Sequence, residues 1–180
     1  MLKTKGFTLV EMMIAIVILA VLLSAAIPSF STFLKNRKVR TATEAILNGL
    51  GLARSEAIRR NTHITFALQT DTSWTLGCTT PVGDINGDGM SDCPSAIQSR
   101  PSAEGGAGAL ASAQTLEFNG YGQLLGLTEN VTIPVTSTQG ACETSGGNIR
   151  CLRIVVSPGG MIRSCDPQTT LTQPGSPKAC

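Results

Sequence analysis

Residues 7–27 form an apolar run broken by a single charged side chain, Glu11. About 20 apolar residues let a helix cross the hydrocarbon core of a bilayer, so this stretch predicts a transmembrane helix at the amino terminus. A carboxylate left unpaired in lipid costs about 2.5 kcal/mol or more. A plain anchor has no reason to carry one. A cleaved secretory signal would account for the basic start at Lys3 and Lys5 and the small residues Ser24, Ala25 and Ala26, but it leaves Glu11 unexplained.

Gly6-Phe7-Thr8-Leu9-Val10-Glu11, followed by the apolar helix and Pro28, resembles the amino terminus of type IV pilins and type II secretion pseudopilins. In that family a membrane peptidase cuts after the glycine and methylates the new terminal phenylalanine. The resemblance implies processing at Gly6 and Phe7, with residues 1–6 as the leader. Two of the 14 Lys and Arg, Lys3 and Lys5, lie in that leader, so its removal leaves 12 against 12 Asp and Glu. Cleavage also creates an ammonium on Phe7. An opposite charge nearby offsets part of the penalty for placing it in apolar surroundings. Glu11 can supply that charge to its own amine or, as the resemblance implies for filament assembly, to the amine of an adjacent subunit.

Beyond Pro28 the pattern turns amphipathic: Phe33, Val39, Ala42, Ile46, Leu50, Ala53 and Ala57 recur at helical spacing. This continues the first helix to about Arg60 and Asn61, with a kink expected at Pro28. Strand signals follow at 64–68, 73–76, 115–118, 122–125, 131–135, 149–156 and 161–163, with a turn at Asn119-Gly120 and another at Pro158-Gly159-Gly160. Residues 102–113 and 169–180 read as loops. The predicted fold is α+β: a long amino-terminal helix, half transmembrane and half amphipathic, packed on an antiparallel β head of one or two small sheets. The predicted division is 1–6 leader, 7–27 transmembrane half, 28–61 amphipathic half and 62–180 extracytoplasmic head. The head resembles the minor pilin and pseudopilin class called FimT/FimU or GspH. The residues that carry this are Leu52-Ala53-Arg54-Ser55-Glu56-Ala57 with Arg60-Asn61, Trp74, Leu116-Glu117-Phe118-Asn119 with Gly122, and Ile154-Val155-Val156-Ser157-Pro158-Gly159-Gly160.

Cys78, Cys93, Cys142, Cys151, Cys165 and Cys180 all fall in the head. Sequence proximity favours pairing 78 with 93, 142 with 151 and 165 with 180, although spacing alone leaves the connectivity open. Zinc is a poor rival, since the spacings lack a C-x2-C pair and the one histidine, His63, lies far from them in sequence. Disulfides imply an oxidising compartment. Lys35, Arg37, Lys38 and Arg40 after the span would favour the opposite orientation by the positive-inside rule. The cysteines outweigh them and favour the head on the extracytoplasmic side; with the resemblance, this implies an inner-membrane, single-pass protein with its head in the periplasm that later enters a pilus or pseudopilus.

Three further features bear on chemistry. Asp84, Asn86, Asp88 and Asp92 match the opening of a calcium loop, with Gly89 at the tight turn, but Ser95 stands where an EF-hand has its closing acid. Calcium is thus the one candidate cofactor, and a solvated polar turn is the alternative. Arg150, Arg153, Arg163 and Lys178 form a carboxyl-terminal basic set able to touch phosphates. DNA-uptake members of the class carry Gly-Arg-x-Arg here. This chain has Gly160-Met161-Ile162-Arg163 and keeps only the second arginine. One histidine, with no nucleophile elbow or phosphate loop, argues against an enzyme. The resemblance implies a minor pilin of a type IV pilus, acting in assembly or a tip complex. A DNA-binding minor pilin for transformation and a type II secretion pseudopilin are the alternatives. The partners it implies are other pilins or minor pilins, the prepilin peptidase, inner-membrane lipid and, in the second case, DNA.

Overall fold

The computed structural model describes residues 6–84, 92–104 and 106–180, without the side chains of 25–29. The chain divides into two compact units, Met1–Leu34 and Lys35–Cys180. Helix α1 (Leu9–Arg60) begins in the first and ends in the second. The expected kink at Pro28 falls among the side chains outside the described set.

In the second unit, α1 is stabilised on its outer face by charge pairs one turn apart, Arg40 with Glu44 and Glu56 with Arg59 and Arg60. It ends in a Schellman cap. Asn61 adopts a left-handed φ of 48°, its N–H reaches the Ile58 carbonyl, and the Thr62 N–H reaches the Ala57 carbonyl. The inner face, Val39, Ala42, Ile46, Leu50, Ala53 and Ala57, is buried, as the helical spacing predicts, but Phe33, expected on the same stripe, is exposed.

Among the described residues eight strands follow: β1 (Ile64–Leu68), β2 (Trp74–Cys78), β3 (Gln98–Arg100), β4 (Ala109–Ala111), β5 (Gln114–Phe118), β6 (Val131–Ser137), β7 (Leu152–Val156) and β8 (Ile162–Cys165). They form two antiparallel four-stranded sheets, ordered β3-β2-β1-β5 and β4-β6-β7-β8. Alternation sets the register. Ile64, Phe66 and Leu68 of β1 point inward opposite Cys78, Leu76 and Trp74 of β2, and opposite Phe118, Leu116 and Gln114 of β5. Ile133 and Val135 of β6 and Ile154 and Val156 of β7 do the same in the second sheet. Together with the helix these side chains make one core. Helix and first sheet approach closely at Gly49, where a Cβ would lie 2.8 Å from ring atoms of both Phe66 and Trp74.

The cysteines pair as 78–93, 142–151 and 165–180. Each bond closes a loop of 9 to 15 residues, and the pairing is the one that sequence proximity favours.

Several expectations need correction. The stretch 102–113 is not all loop, because β4 within it pairs with the end of β6; three small residues are too short a run to show a period. β3 carries no strand signal because Gln98, Ser99 and Arg100 are polar on an edge strand. Residues 122–125 do not form a full partner strand. Only a bridge from Phe118 to Leu124 forms, because the Asn119 side chain takes up the Tyr121 and Gln123 amides at 3.0 Å and folds the segment into a turn. The strand expected over 149–156 starts at Leu152, since Ile149 is held in a bridge to Cys142 inside the disulfide loop. The tail 169–180 contains part of α2 (Pro167–Thr172), whose N-cap is Asp166 and whose first turn carries proline. The Asp-Pro pair is the sequence signal for it.

Candidate assembly surface

At the amino terminus Thr8 and Glu11 make a capping box. The Glu11 Oε2 accepts the Thr8 N–H at 2.8 Å and its hydroxyl at 2.9 Å, and Thr8 Oγ1 accepts the Glu11 N–H at 3.2 Å. Thr-x-x-Glu just before an apolar run is a sequence signal for such a cap, and reading Glu11 only as a charge partner overlooks it. The carboxylate is thereby held over the first turn of α1. Gly6 and Phe7 lie just outside the helix, and Phe7 is 84% exposed.

From Leu9 to Leu23 every large apolar side chain is at least half exposed, on all sides of the helix. Such a surface in water would be an aggregation site. It calls for lipid or other apolar helices around it. Among the described residues no helix is long and apolar enough to cross a membrane; the fully described apolar stretch stops at residue 24.

On the head, the Leu52-to-Ala57 segment supplies Glu56, whose carboxyl is held below its ordinary range first by the hydrogen bond from Arg59 and then by Arg60. Arg60 also donates to the Asp92 carbonyl, tying the helix end to the loop closed by Cys78 and Cys93. Of the four expected calcium ligands, Asn86 and Asp88 lie outside the described residues. Asp84 and Asp92 stand at the two ends of that segment, near the bridge from Val82 to Cys93. Among the described residues no cluster of potential metal ligands is present.

The carboxyl-terminal basic set is only partly brought together. Arg150 Nε donates to Asp166 Oδ2 at 2.5 Å, so its charge is already paired. The register puts Arg153 and Arg163 on the same outer face of the second sheet, flanking Val155. Arg153 borders a cleft of about 370 Å³ with Thr136 and Thr170, and its Nε is buried without a hydrogen-bond partner. Arg163 donates to the Ala179 carbonyl at 3.4 Å. Lys178 is exposed beside the last disulfide.

Asp166 itself is 4% exposed. Burial alone would raise its carboxyl, but the Arg150 hydrogen bond and charge, with the Thr169 and Gln168 amides, outweigh burial and hold it below the ordinary range. A depressed folded-state value means that its contribution is complete above the unfolded value, about 4, and is lost as pH falls through the folded one. Thermal unfolding of the full chain in detergent, scanned from about pH 5 to about pH 2, is expected to show this loss. The Asp166→Asn variant should lack that component.

The chain matches the family described as Type II transport protein GspH over residues 42–160, more than half of its length. It matches the prokaryotic N-terminal methylation motif over residues 1–27. No curated protein matches it. Among solved structures it is similar to the type IV minor pilin FimU of Pseudomonas aeruginosa in two crystal forms. One is 19% identical with a TM-score of 0.53, covering 73% of this chain and 90% of that one. The other is 18% identical with a TM-score of 0.49, covering 72% and 97%. The first supports the fold: a long helix on two small antiparallel sheets. Family match, terminal motif and fold agree, and the chain belongs to the GspH family, the class of pilin-like minor pilins and pseudopilins.

Proposed function

We propose that the chain is a minor pilin of a type IV pilus, acting in pilus assembly or in a tip complex. It waits in the inner membrane as a single-pass protein with its head in the periplasm. The observation that carries this reading is the sheath of exposed apolar side chains on α1 with one acid at its start. Such a stem is stable in lipid and equally stable bundled with the stems of other subunits, so one surface serves both the stored and the assembled state. The prepilin peptidase is the partner at Gly6 and Phe7. No catalytic step is assigned to the chain. Mass spectrometry of the protein from native membranes is expected to give an amino terminus at methylated Phe7. A terminus at Ile27 would restore a secretory signal, and one at Met1 would remove the fibre reading altogether.

The family described for type II transport supports a second reading, a pseudopilus subunit. Deletion of the gene separates the two, because loss of pili with normal export indicates the first and loss of export with normal pili the second. A DNA-binding role rests on Arg153 and Arg163 sharing one face, with Lys178 nearby and Arg150 already paired to Asp166. Low-salt titration with duplex DNA, repeated with Arg163→Ala, tests it. Calcium at Asp84, Asn86, Asp88 and Asp92 is tested by chelation, with a lowered unfolding temperature as the expected result.

A further inference from the structure

Strand β8 is the last strand of its sheet, and one side of its backbone is unpaired over part of its length. In the hairpin before it the Ser157 N–H donates to the Met161 carbonyl at 2.9 Å. Antiparallel alternation then turns the polar groups of Arg163 and Cys165 toward β7 and those of Ile162, Ser164 and Asp166 away from it. The outward Asp166 N–H is taken by the Lys178 carbonyl at 2.8 Å. Ile162 and Ser164 instead face an open groove of about 560 Å³, whose opposite wall is Leu47, Arg54 and Ile58 of α1.

Arg54 is the unusual member of that wall. Its neighbours on α1 are committed, Arg59 and Arg60 to Glu56. The Arg54 Nε is buried with no hydrogen-bond partner, and no carboxylate is among the described residues lining the groove. The side chain is laid over Gly122 and Gly160, where a Cβ would come within 3.0 and 3.1 Å of its Nε. The two loops beneath it are joined by the Leu124 N–H to the Pro158 carbonyl. A guanidinium held in place with its Nε left without an acceptor, beside a strand edge open at Ile162 and Ser164, suits one kind of occupant. It would be an extended segment that adds to the edge through its backbone and brings one carboxylate to the arginine.

We propose that this groove receives an extended, carboxylate-bearing segment of a neighbouring fibre subunit as an added strand beside β8, with its acid on Arg54. The identity of the donor rests on the fibre reading above; the binding chemistry of the groove does not. The test uses the full chain in detergent micelles and a capped peptide of alternating threonine and valine with one central glutamate. Binding is expected to slow amide exchange at Ile162 and Ser164. Replacing the peptide glutamate by glutamine should weaken it about tenfold, and Arg54→Gln in the protein should abolish that discrimination. Ser164→Pro removes an outward N–H without touching the ladder; it should end binding even though Arg54 is intact, and it serves as well if Arg54→Gln fails to fold. Equal binding of the two peptides, protection elsewhere than at Ile162 and Ser164, or no binding at millimolar peptide overturns the proposal. A peptide that binds as expected, in a protein that never enters a fibre, would leave the groove standing and remove the fibre reading.

Discussion

Replacing Glu11 by leucine is expected to leave the protein in the membrane and to lower its incorporation into fibres roughly a hundredfold. The change makes the stem more apolar, so insertion does not suffer. What disappears is the only anion of residues 7–27, and with it, on the proposed processing, the counter-charge for an ammonium on Phe7. Removing one partner of a buried ion pair costs about 3 kcal/mol or more, because the other is left uncompensated, and that is a factor of roughly 100 in partition between membrane and fibre. The capping box supplies the control. Thr8→Val removes the hydroxyl that donates to Glu11 and caps the helix, at about 1 kcal/mol, but it leaves the carboxylate in place. Immunoblots of membranes and of sheared fibres should show Thr8→Val close to wild type and Glu11→Leu absent from the fibre fraction. Equal losses in the two variants would mean that Glu11 serves its own helix rather than a neighbour.

Phe66→Ala is expected to destabilise the head by about 4 kcal/mol. The ring is fully buried, lies between Leu76 and Leu116 of the flanking strands, and meets Trp74 at 5.6 Å between centroids. Above it stands Gly49 of α1, so truncation opens a void where helix and sheet are in close contact. Typical domains are stable by about 5–15 kcal/mol, so the loss is a large part of the total. Urea unfolding of the full chain in detergent, followed by the fluorescence of its one tryptophan, reads this directly. Adding Gly49→Ala tests the geometry. In the wild type that Cβ would sit 2.8 Å from Phe66 and Trp74 carbons, whereas once the Phe66 ring is removed one of the two clashes is gone. The double variant should therefore be less destabilised than the sum of the single ones.

The parts legible in the sequence are those with a long period or a fixed local chemistry. The buried stripe of α1 repeats often enough to define its face, β1 alternates cleanly, and Gly6-Phe7 with Glu11 identifies the family. β3 and β4 are not legible. Three residues contain too little alternation, and their pairing is decided by β2 and β6, which are distant in sequence. α2 escapes notice because a helix of 6 residues has no amphipathic pattern and depends on Asp166, whose acid is fixed by Arg150 from another part of the chain. The unpartnered state of the Arg54 Nε is equally invisible. In sequence it stands two residues before Glu56, and only folding shows that Glu56 turns toward Arg59 and Arg60.

The six cysteines of the head are bonded in three consecutive pairs along the chain. A polypeptide threaded into an oxidising space from its amino-terminal side meets its correct thiol first every time. With the head in the periplasm, as proposed above, oxidation in chain order leads to the native set.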